Sequence, residues 1–339
     1  MDKILSICVP SYNIENYIDK CISSMIDERI MDKLEIIIVN DGSKDLTLTK
    51  AIEWKEKYPQ SIVVVDKPNG GHGSTINSAI NVATGKYFKN IDGDDWVEIK
   101  VFIELISKLE TVNVDVVFTD FTSVYINSGT QVLESVKRRH DFKENEIFNI
   151  DELFEHNSVP AMHTLTYKTD LFKANNIKLT ENCFYVDVQF YAFPMLYAKS
   201  AIYLPINVYQ YRLEREGQSV SVDGMIKHYD NHLTVLKSII QFDNTITDEK
   251  YKKYLKRIIK ILVMAETELL FNKKAYKDNK FYKNAITQLR NILSPNDLLN
   301  NLELVKTYRY TIKYGCILGI NTMPILKWGS NLCKKIKNH

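Results

Sequence analysis

Short, unbroken apolar runs that each end in a polar loop recur along the first third of the chain, with helical spacing between them. This alternation limits the fold more than any other feature. Ile4 to Val9 is closed by Pro10, and Leu34 to Val39 by Asn40-Asp41-Gly42-Ser43. Runs that are apolar on both faces suit strands covered on both sides, as in parallel sheets. Between them, Ile18, Cys21, Ile22, Met25 and Ile26 fall at helical spacing within 15–28, and Asp45 is placed to cap a helix reaching Lys57. The unit repeats as strand Ile62 to Val65, helix Gly73 to Ala83, strand Lys86 to Ile91 and helix Val97 to Leu109. The pattern predicts an α/β fold with an open, mostly parallel sheet and helices on both faces.

Beyond Val114 the rhythm changes. Runs Val114 to Thr119 and Phe121 to Ile126 read as two strands, and Asn127-Ser128-Gly129 as a hairpin turn. A strand at Leu165 to Lys168, helices at Thr169 to Asn175 and Val186 to Ala198, and a strand at Ala201 to Tyr211 complete a catalytic region expected to end near residue 222. The remainder reads as helical, with Tyr251, Leu255, Ile258, Ile259 and Leu262 on one face and Lys252, Lys253, Lys256 and Lys260 mainly on another. Residues 248–339 hold 19 Lys+Arg against 7 Asp+Glu, so the overall net charge of +2 hides a basic third and an acidic remainder. That asymmetry suits either a solvated helix face or a peripheral membrane contact or homo-oligomer through the basic region. Near the C-terminus, Lys327, Lys334, Lys335 and Lys337 surround Trp328, Leu332 and Ile336.

The five cysteines are widely spaced and never form a Cys-x-x-Cys pair, which argues against a disulfide framework or a zinc site and for a reducing compartment. The N-terminal residues lack the basic flank and long apolar stretch of a signal peptide. The apolar stretch Tyr314 to Leu326 is interrupted by Asn321, Thr322 and Pro324, short of the roughly 18 apolar residues a spanning helix needs. The expected location is cytoplasmic, with peripheral attachment at the inner membrane face as the variant the basic third allows. Nucleic acid is not an expected partner, because the basic residues lack a recognition motif and the loops at the strand ends are acidic.

In open α/β sheets ligands bind at the carboxyl ends of strands. The loops there read Pro10-Ser11-Tyr12-Asn13, Asn40-Asp41-Gly42-Ser43, Asn69-Gly70-Gly71-His72-Gly73-Ser74 and Asp92-Gly93-Asp94-Asp95-Trp96. Glycines in the third let backbone amides approach an anion. It is neither a dinucleotide fingerprint nor a Walker loop. Three carboxylates on one turn repel each other, and a hard divalent cation, Mg²⁺ or Mn²⁺, is their natural partner. The plainer reading of Asp95 is a helix cap, of Asp41 a turn former, and of Tyr12 a core residue.

Taken together, these loops, with Asn77 after the third, resemble the family 2 glycosyltransferases of GT-A fold. The four motifs stand in order across residues 4–110, and weaker similarity continues through Tyr211-Arg212 and Ser219-Val220-Ser221. The resemblance implies a Rossmann-like GT-A catalytic domain at 1–222, with nucleotide-sugar binding on 1–110 and the acceptor side on 111–222. A basic, mainly helical C-terminal region at 223–339 would follow. It implies a metal-dependent, inverting, hexosyltransferase-type enzyme that moves a sugar from a nucleotide diphosphate sugar, a UDP-sugar first, to a glycan, lipid-linked or protein-linked hydroxyl. Cell-surface polysaccharide biosynthesis is the expected setting.

Position by position, it implies that Pro10, Tyr12 and Asp41 hold the base, with Asn13, Asn69, Gly70 and Gly71 around the donor. Asp92 would contact the ribose or sugar, Asp94 would bind Mn²⁺ or Mg²⁺, and Asp95 would line the sugar pocket. Asp187, in Val186-Asp187-Val188-Gln189-Phe190, takes the place of the general base, with Glu181 as its rival. Trp96 is either a sugar-stacking or a core aromatic, and His163 either an acceptor or diphosphate contact or structural. Arg212, with Arg215 and Ser219, lies on a segment read as a cover over the diphosphate or a surface salt bridge. Where many members have Arg before the Asn of the third loop, this chain has Ile76. Two other readings stay open: a sugar nucleotidyltransferase, which would want a Gly-rich basic loop after the first strand, and an inactive nucleotide-sugar-binding or assembly protein.

Overall fold

The structure is a computed structural model that describes residues 3–137, 141–156, 159–215, 218–270, 272 and 278–293. The chain divides into two units, Met1–Glu216 and Gly217–His339. The first is built on one sheet of ten strands: β1 (Leu5–Ser11), β2 (Leu34–Asp41), β3 (Ile62–Lys67), β4 (Tyr87–Asn90), β5 (Trp96–Val97), β6 (Val116–Tyr125), β7 (Gln131–Glu134), β8 (Ile147–Asn149), β9 (Leu165–Lys168) and β10 (Ser200–Leu213). Its path is β3-β2-β1-β4-β9-β6-β10-β5, with β7 added to β6 and β8 to β10. The long ladders, β1 on β2 and β4, β2 on β3 and β6 on β10, are parallel. Helices α1 (Ile18–Ser23), α2 (Thr47–Lys57), α3 (Gly71–Val82) and α4 (Ile99–Thr111) alternate with the early strands, and α5 (Asp151–Glu155), α6 (Thr169–Ala174) and α7 (Asp187–Ala192) follow.

The period of two explains why helices lie on both faces. Leu5, Ile7 and Val9 of β1 join Leu34, Ile36 and Ile38 of β2 in a core that also takes Ile18, Cys21 and Ile22 from α1 and Phe102, Leu105 and Ile106 from α4. Cys8, between them in β1, turns the other way, and its thiol meets the Thr75 carbonyl of α3 at 3.9 Å. Asp45 accepts from Thr47 N at 3.0 Å, which starts α2.

Two sequence expectations change. The two strands expected at 114–126 are one, because Asp120, between the two runs, is satisfied inside β6. Its carboxylate accepts from Val136 N at 2.7 Å and from the Tyr203 hydroxyl. The hairpin at 127–129 therefore joins β6 to β7. The helix expected over 186–198 ends at Ala192 and tightens into a 3₁₀ turn, Phe193–Leu196. Pro194 lacks the N–H that would continue it.

The second unit carries α8 (Val222–Lys227), α9 (Tyr229–Thr245), α10 (Glu249–Leu270) and α11 (Asn279–Leu293). Along α10, Tyr251, Leu255, Ile258, Ile259 and Leu262 are buried, whereas Lys253, Lys256 and Lys260 are exposed. A buried pair, His232 Nδ1 and Glu266 Oε1 at 3.1 Å, joins α9 to α10. Among the described residues no helix is long and apolar enough to cross a membrane. The stretch Tyr314 to Leu326, the cluster around Trp328, and Cys316 and Cys333 lie outside the described residues.

Candidate active site

The loops after β1, β2, β3 and β4 interlock. Asn13 adopts φ 51°, a left-handed conformation that Asn tolerates, and its side-chain oxygen accepts from Lys44 N at 2.8 Å while its N–H reaches Ser43 Oγ at 3.1 Å. The first loop is thereby fixed to the second, leaving Tyr12 48% exposed beside them. The Pro10 carbonyl accepts from Gly93 N at 3.2 Å, which ties the first loop to the acidic one. Any Cβ at Gly93 would strike Ile14 and Pro10.

Asp41 closes β2, and its carboxylate is held within the protein. It accepts from Gly70 N and Gly71 N, each at 2.8 Å, and pairs with Lys67 Nζ at 2.7 Å. Asn69 Nδ2 donates to the Asp41 carbonyl at 2.9 Å. Asp41, Asn69, Gly70 and Gly71 thus form one ring that shapes the start of α3. Gly71 needs glycine there, since its φ is +79°.

On the acidic turn each carboxylate has a different neighbour. Asp92 Oδ1 lies 3.1 Å from His72 Nε2 and accepts from Asn90 Nδ2 at 2.8 Å. Burial pushes this carboxyl up, but His72 and then His163 outweigh it and hold it at about 2. Burial pulls the His72 imidazole down; Asp92 first, then Asp187 and Asp94, raise it above its ordinary value. Asp94 pairs with Arg215 Nε at 2.8 Å, yet burial, with Asp92, raises its carboxyl. Asp95, expected to line a sugar pocket, is 1% exposed and turned into the protein. It accepts from the Tyr209 hydroxyl at 2.6 Å and from Arg212 N at 2.7 Å, and burial, Asp94 and Asp92 push it well above the carboxylate range. Metal-donor atoms of Asp92, Asp95 and His163 lie within 4.8 Å of one another; Asp94, the sequence-expected ligand, is outside that group.

Aromatic rings wall this region. Lys20 and Arg212 lie over Trp96 at 3.6 and 4.8 Å from its ring centroid, and Arg212 donates through Nε to the Asp94 carbonyl at 2.7 Å. The His163 ring packs against Phe121, Tyr209 and Tyr211 at 5.0, 4.7 and 4.4 Å, and burial lowers it to about 4.

Asp187 opens α7 within the field of the same turn: burial raises its carboxyl, His72 partly offsets this and Asp92 adds to it. The chain reaches it through Asn182 and Tyr185, at φ 53° and 64°. The segment before it is pinned to α3, where Asn77 Nδ2 donates to the Leu179 carbonyl at 2.9 Å and to Glu181 Oε1 at 3.1 Å. Gln189 Oε1 accepts from Thr180 N at 2.7 Å. Glu181, the rival base, is therefore engaged with Asn77. A Cβ at Gly73 would collide with the Thr180 carbonyl. Gly73→Ala is expected to cost about 1–3 kcal/mol by overpacking, read as a lower Tm. Wild-type stability in that variant would mean that the segment gives way freely.

Sequence reasoning singled out neither His72 nor Tyr209 as a site residue. His72 lay inside the glycine-rich loop, and its signal was an imidazole two residues after a backbone turn that anions favour. Tyr209 had none, being one aromatic in a strand.

The sequence profile of glycosyl transferase family 2 matches residues 6–173, which hold all four loops. The chain belongs to glycosyl transferase family 2. Among similar proteins, EpsH of Bacillus subtilis (strain 168) is 27% identical over 261 residues, 75% of this chain and 74% of that protein. This glycosyltransferase also has the fold of S. aureus TarS 1-349, solved with UDP-GlcNAc, at a TM-score of 0.65 and 20% identity over 94% of this chain and 92% of that one. The mannosyltransferase PcManGT of Pyrobaculum calidifontis, solved with GDP-Man and Mn²⁺, superposes with a TM-score of 0.54 and 17% identity over 100% of this chain and 87% of that one. The α/β sheet with its helices is accordingly a GT-A fold.

Proposed function

We propose that this glycosyltransferase moves a hexose from a nucleotide diphosphate sugar, a UDP-sugar first, to a hydroxyl of a glycan, lipid-linked or protein-linked acceptor, with inversion. The observation that carries the reading is that His72, 3.1 Å from Asp92, is raised by Asp187 and Asp94 as well, so the acidic turn and the start of α7 act on one imidazole. A UDP-sugar is favoured because TarS was solved with UDP-GlcNAc. In this reading the donor lies on residues 1–110, with its base beside Tyr12 and its phosphates toward the amides of the third loop. The acceptor side is 111–222, and the basic region 223–339 supplies peripheral membrane or subunit contact.

The residues present fit a divalent cation. Three carboxylates crowd one turn, where burial first and their mutual repulsion second raise two of the three carboxyls, and oxygen donors suit Mn²⁺ or Mg²⁺. Asp92 and Asp94 would hold it, with Asp95 and His163 behind them. When bound, such an ion neutralises charge on a leaving diphosphate. The chain's own residues do the rest. Asp187 accepts the proton of the acceptor hydroxyl as that oxygen bonds to the anomeric carbon and the bond to the diphosphate breaks. Its raised carboxyl makes it a better proton acceptor than an ordinary aspartate. Arg212 and Arg215 stand beside Asp94 as cations for the departing phosphates.

Thermal unfolding of the protein with UDP, GDP or dTDP and their sugars, with and without Mn²⁺, tests the donor reading. Ligand at about 100 times its dissociation constant adds roughly 2.7 kcal/mol, so a metal-dependent rise in Tm with one nucleotide is expected. A folded protein that none of them stabilises would defeat it.

A further inference from the structure

Lys89 is a lysine in the middle of a sheet. It lies on β4, three residues before the acidic turn, and is 0% exposed. Its ammonium donates to two carbonyls, His163 O at 2.8 Å and Leu165 O at 3.1 Å, and among the described residues it forms no ion pair. Burial alone lowers it to about 7. An ammonium removed from water without a counter-charge is a standing cost to the fold.

The carbonyls it grips are informative. They belong to the turn that presents His163 and to the first residue of β9. The His163 ring rests on Tyr209 at 4.7 Å, edge to face. The Tyr209 hydroxyl donates to Asp95 at 2.6 Å and accepts from Asp92 N at 3.1 Å, so a single oxygen fixes both ends of the acidic turn. The Lys89 ammonium also lies over the Tyr209 ring, 5.9 Å from its centroid. Through the His163 turn and directly over the ring, Lys89 reaches Tyr209, and Tyr209 leads to the turn.

We propose that Lys89 is a positioning residue for the donor site, acting through His163 and Tyr209 to hold the Asp92 to Asp95 turn in its binding geometry. The proposal rests on the donor reading above. It separates stability from binding, because the same ammonium that weakens the fold orders the turn.

The test uses the full chain and calorimetric titration with UDP and with GDP, each with Mn²⁺, beside thermal unfolding. Lys89→Met replaces the ammonium with an apolar chain of similar length. It is expected to unfold at the wild-type temperature or above while binding the nucleotide about 10- to 100-fold more weakly, the usual effect of losing a residue that orients ligand-binding groups. Tyr209→Phe, which removes only the hydroxyl, is expected to show the same loss. The double variant should bind no more weakly than the weaker single, since both act on one path. Wild-type affinity in Lys89→Met overturns the proposal, as does a double variant in which the two losses multiply. Should Lys89→Met fail to fold, Lys89 is a structural staple and the proposal falls; wild-type affinity in Tyr209→Phe also refutes the path. A wild-type chain that binds neither nucleotide refutes the donor reading itself, a result distinct from bound nucleotide with unaffected variants.

Discussion

Asp187→Asn is expected to lower kcat by about 10²- to 10⁴-fold, the usual contribution of a general base, while leaving nucleotide binding intact. Asparagine keeps the shape and the start of α7 but cannot take the acceptor proton. The pH profile should identify the same group. Burial holds the Asp187 carboxyl above its ordinary value, so the wild-type rate should rise with pH through a carboxyl titrating above the usual aspartate range. Below that point the carboxyl is protonated and transfer is lost; in the variant the acid limb should vanish from what activity remains. Glu181→Gln is the control. Because Glu181 is engaged by Asn77 Nδ2 at 3.1 Å, its loss should leave kcat near wild type. A fully active Asp187→Asn with an inactive Glu181→Gln would reverse the two assignments.

The parts of this site that could be read from sequence were those encoded locally. Apolar runs marked β1 to β4, and the loops closing them contain Gly, Asn, Pro and Asp in combinations that suit turns rather than strands. Long-range chemistry was hidden. Asp41 reads as a turn former or a base contact, and only folding brings Gly70 and Gly71 onto its carboxylate. Asp95 reads as a helix cap or as lining a sugar pocket, yet β10 arrives from more than a hundred residues away to bury it under Tyr209 and Arg212. Asp120, between the two runs read as separate strands, sits inside one strand for the same reason, since its satisfaction comes from Tyr203 and Val136. Lys89 left no mark of its own within the strand read over Lys86 to Ile91. Amphipathic logic would place such a residue at an edge, whereas here both sides of β4 are covered. Patterning reports which face a side chain takes, and says little about the partner that makes a buried charge tolerable.

Asp94→Asn is expected to abolish metal-dependent transfer, a loss of about 10³-fold or more if the ion contributes the several kcal/mol typical of charge stabilisation at a leaving group. Its effect on stability distinguishes this from simple damage. Asp94 is paired with Arg215, but burial and Asp92 outweigh that pair and raise its carboxyl. An acid whose folded pKa is raised binds protons more tightly folded than unfolded. Stability therefore falls as pH rises from the unfolded pKa through the folded one, and at neutral pH the ionised carboxylate is a net burden on the metal-free fold. Asparagine removes that burden while keeping a group that Arg215 can still donate to. The metal-free variant should thus unfold no lower than the wild type at neutral pH, and Mn²⁺ with nucleotide should stabilise it far less. The difference between the two proteins should shrink as the pH is lowered toward the ordinary aspartate value, where the wild-type carboxyl is itself protonated. Retained transfer with an unchanged response to Mn²⁺ would move metal binding to Asp92, Asp95 and His163, whose donor atoms already lie within 4.8 Å of one another. Asp94 would then be left the narrower task of holding Arg215 beside the departing phosphates.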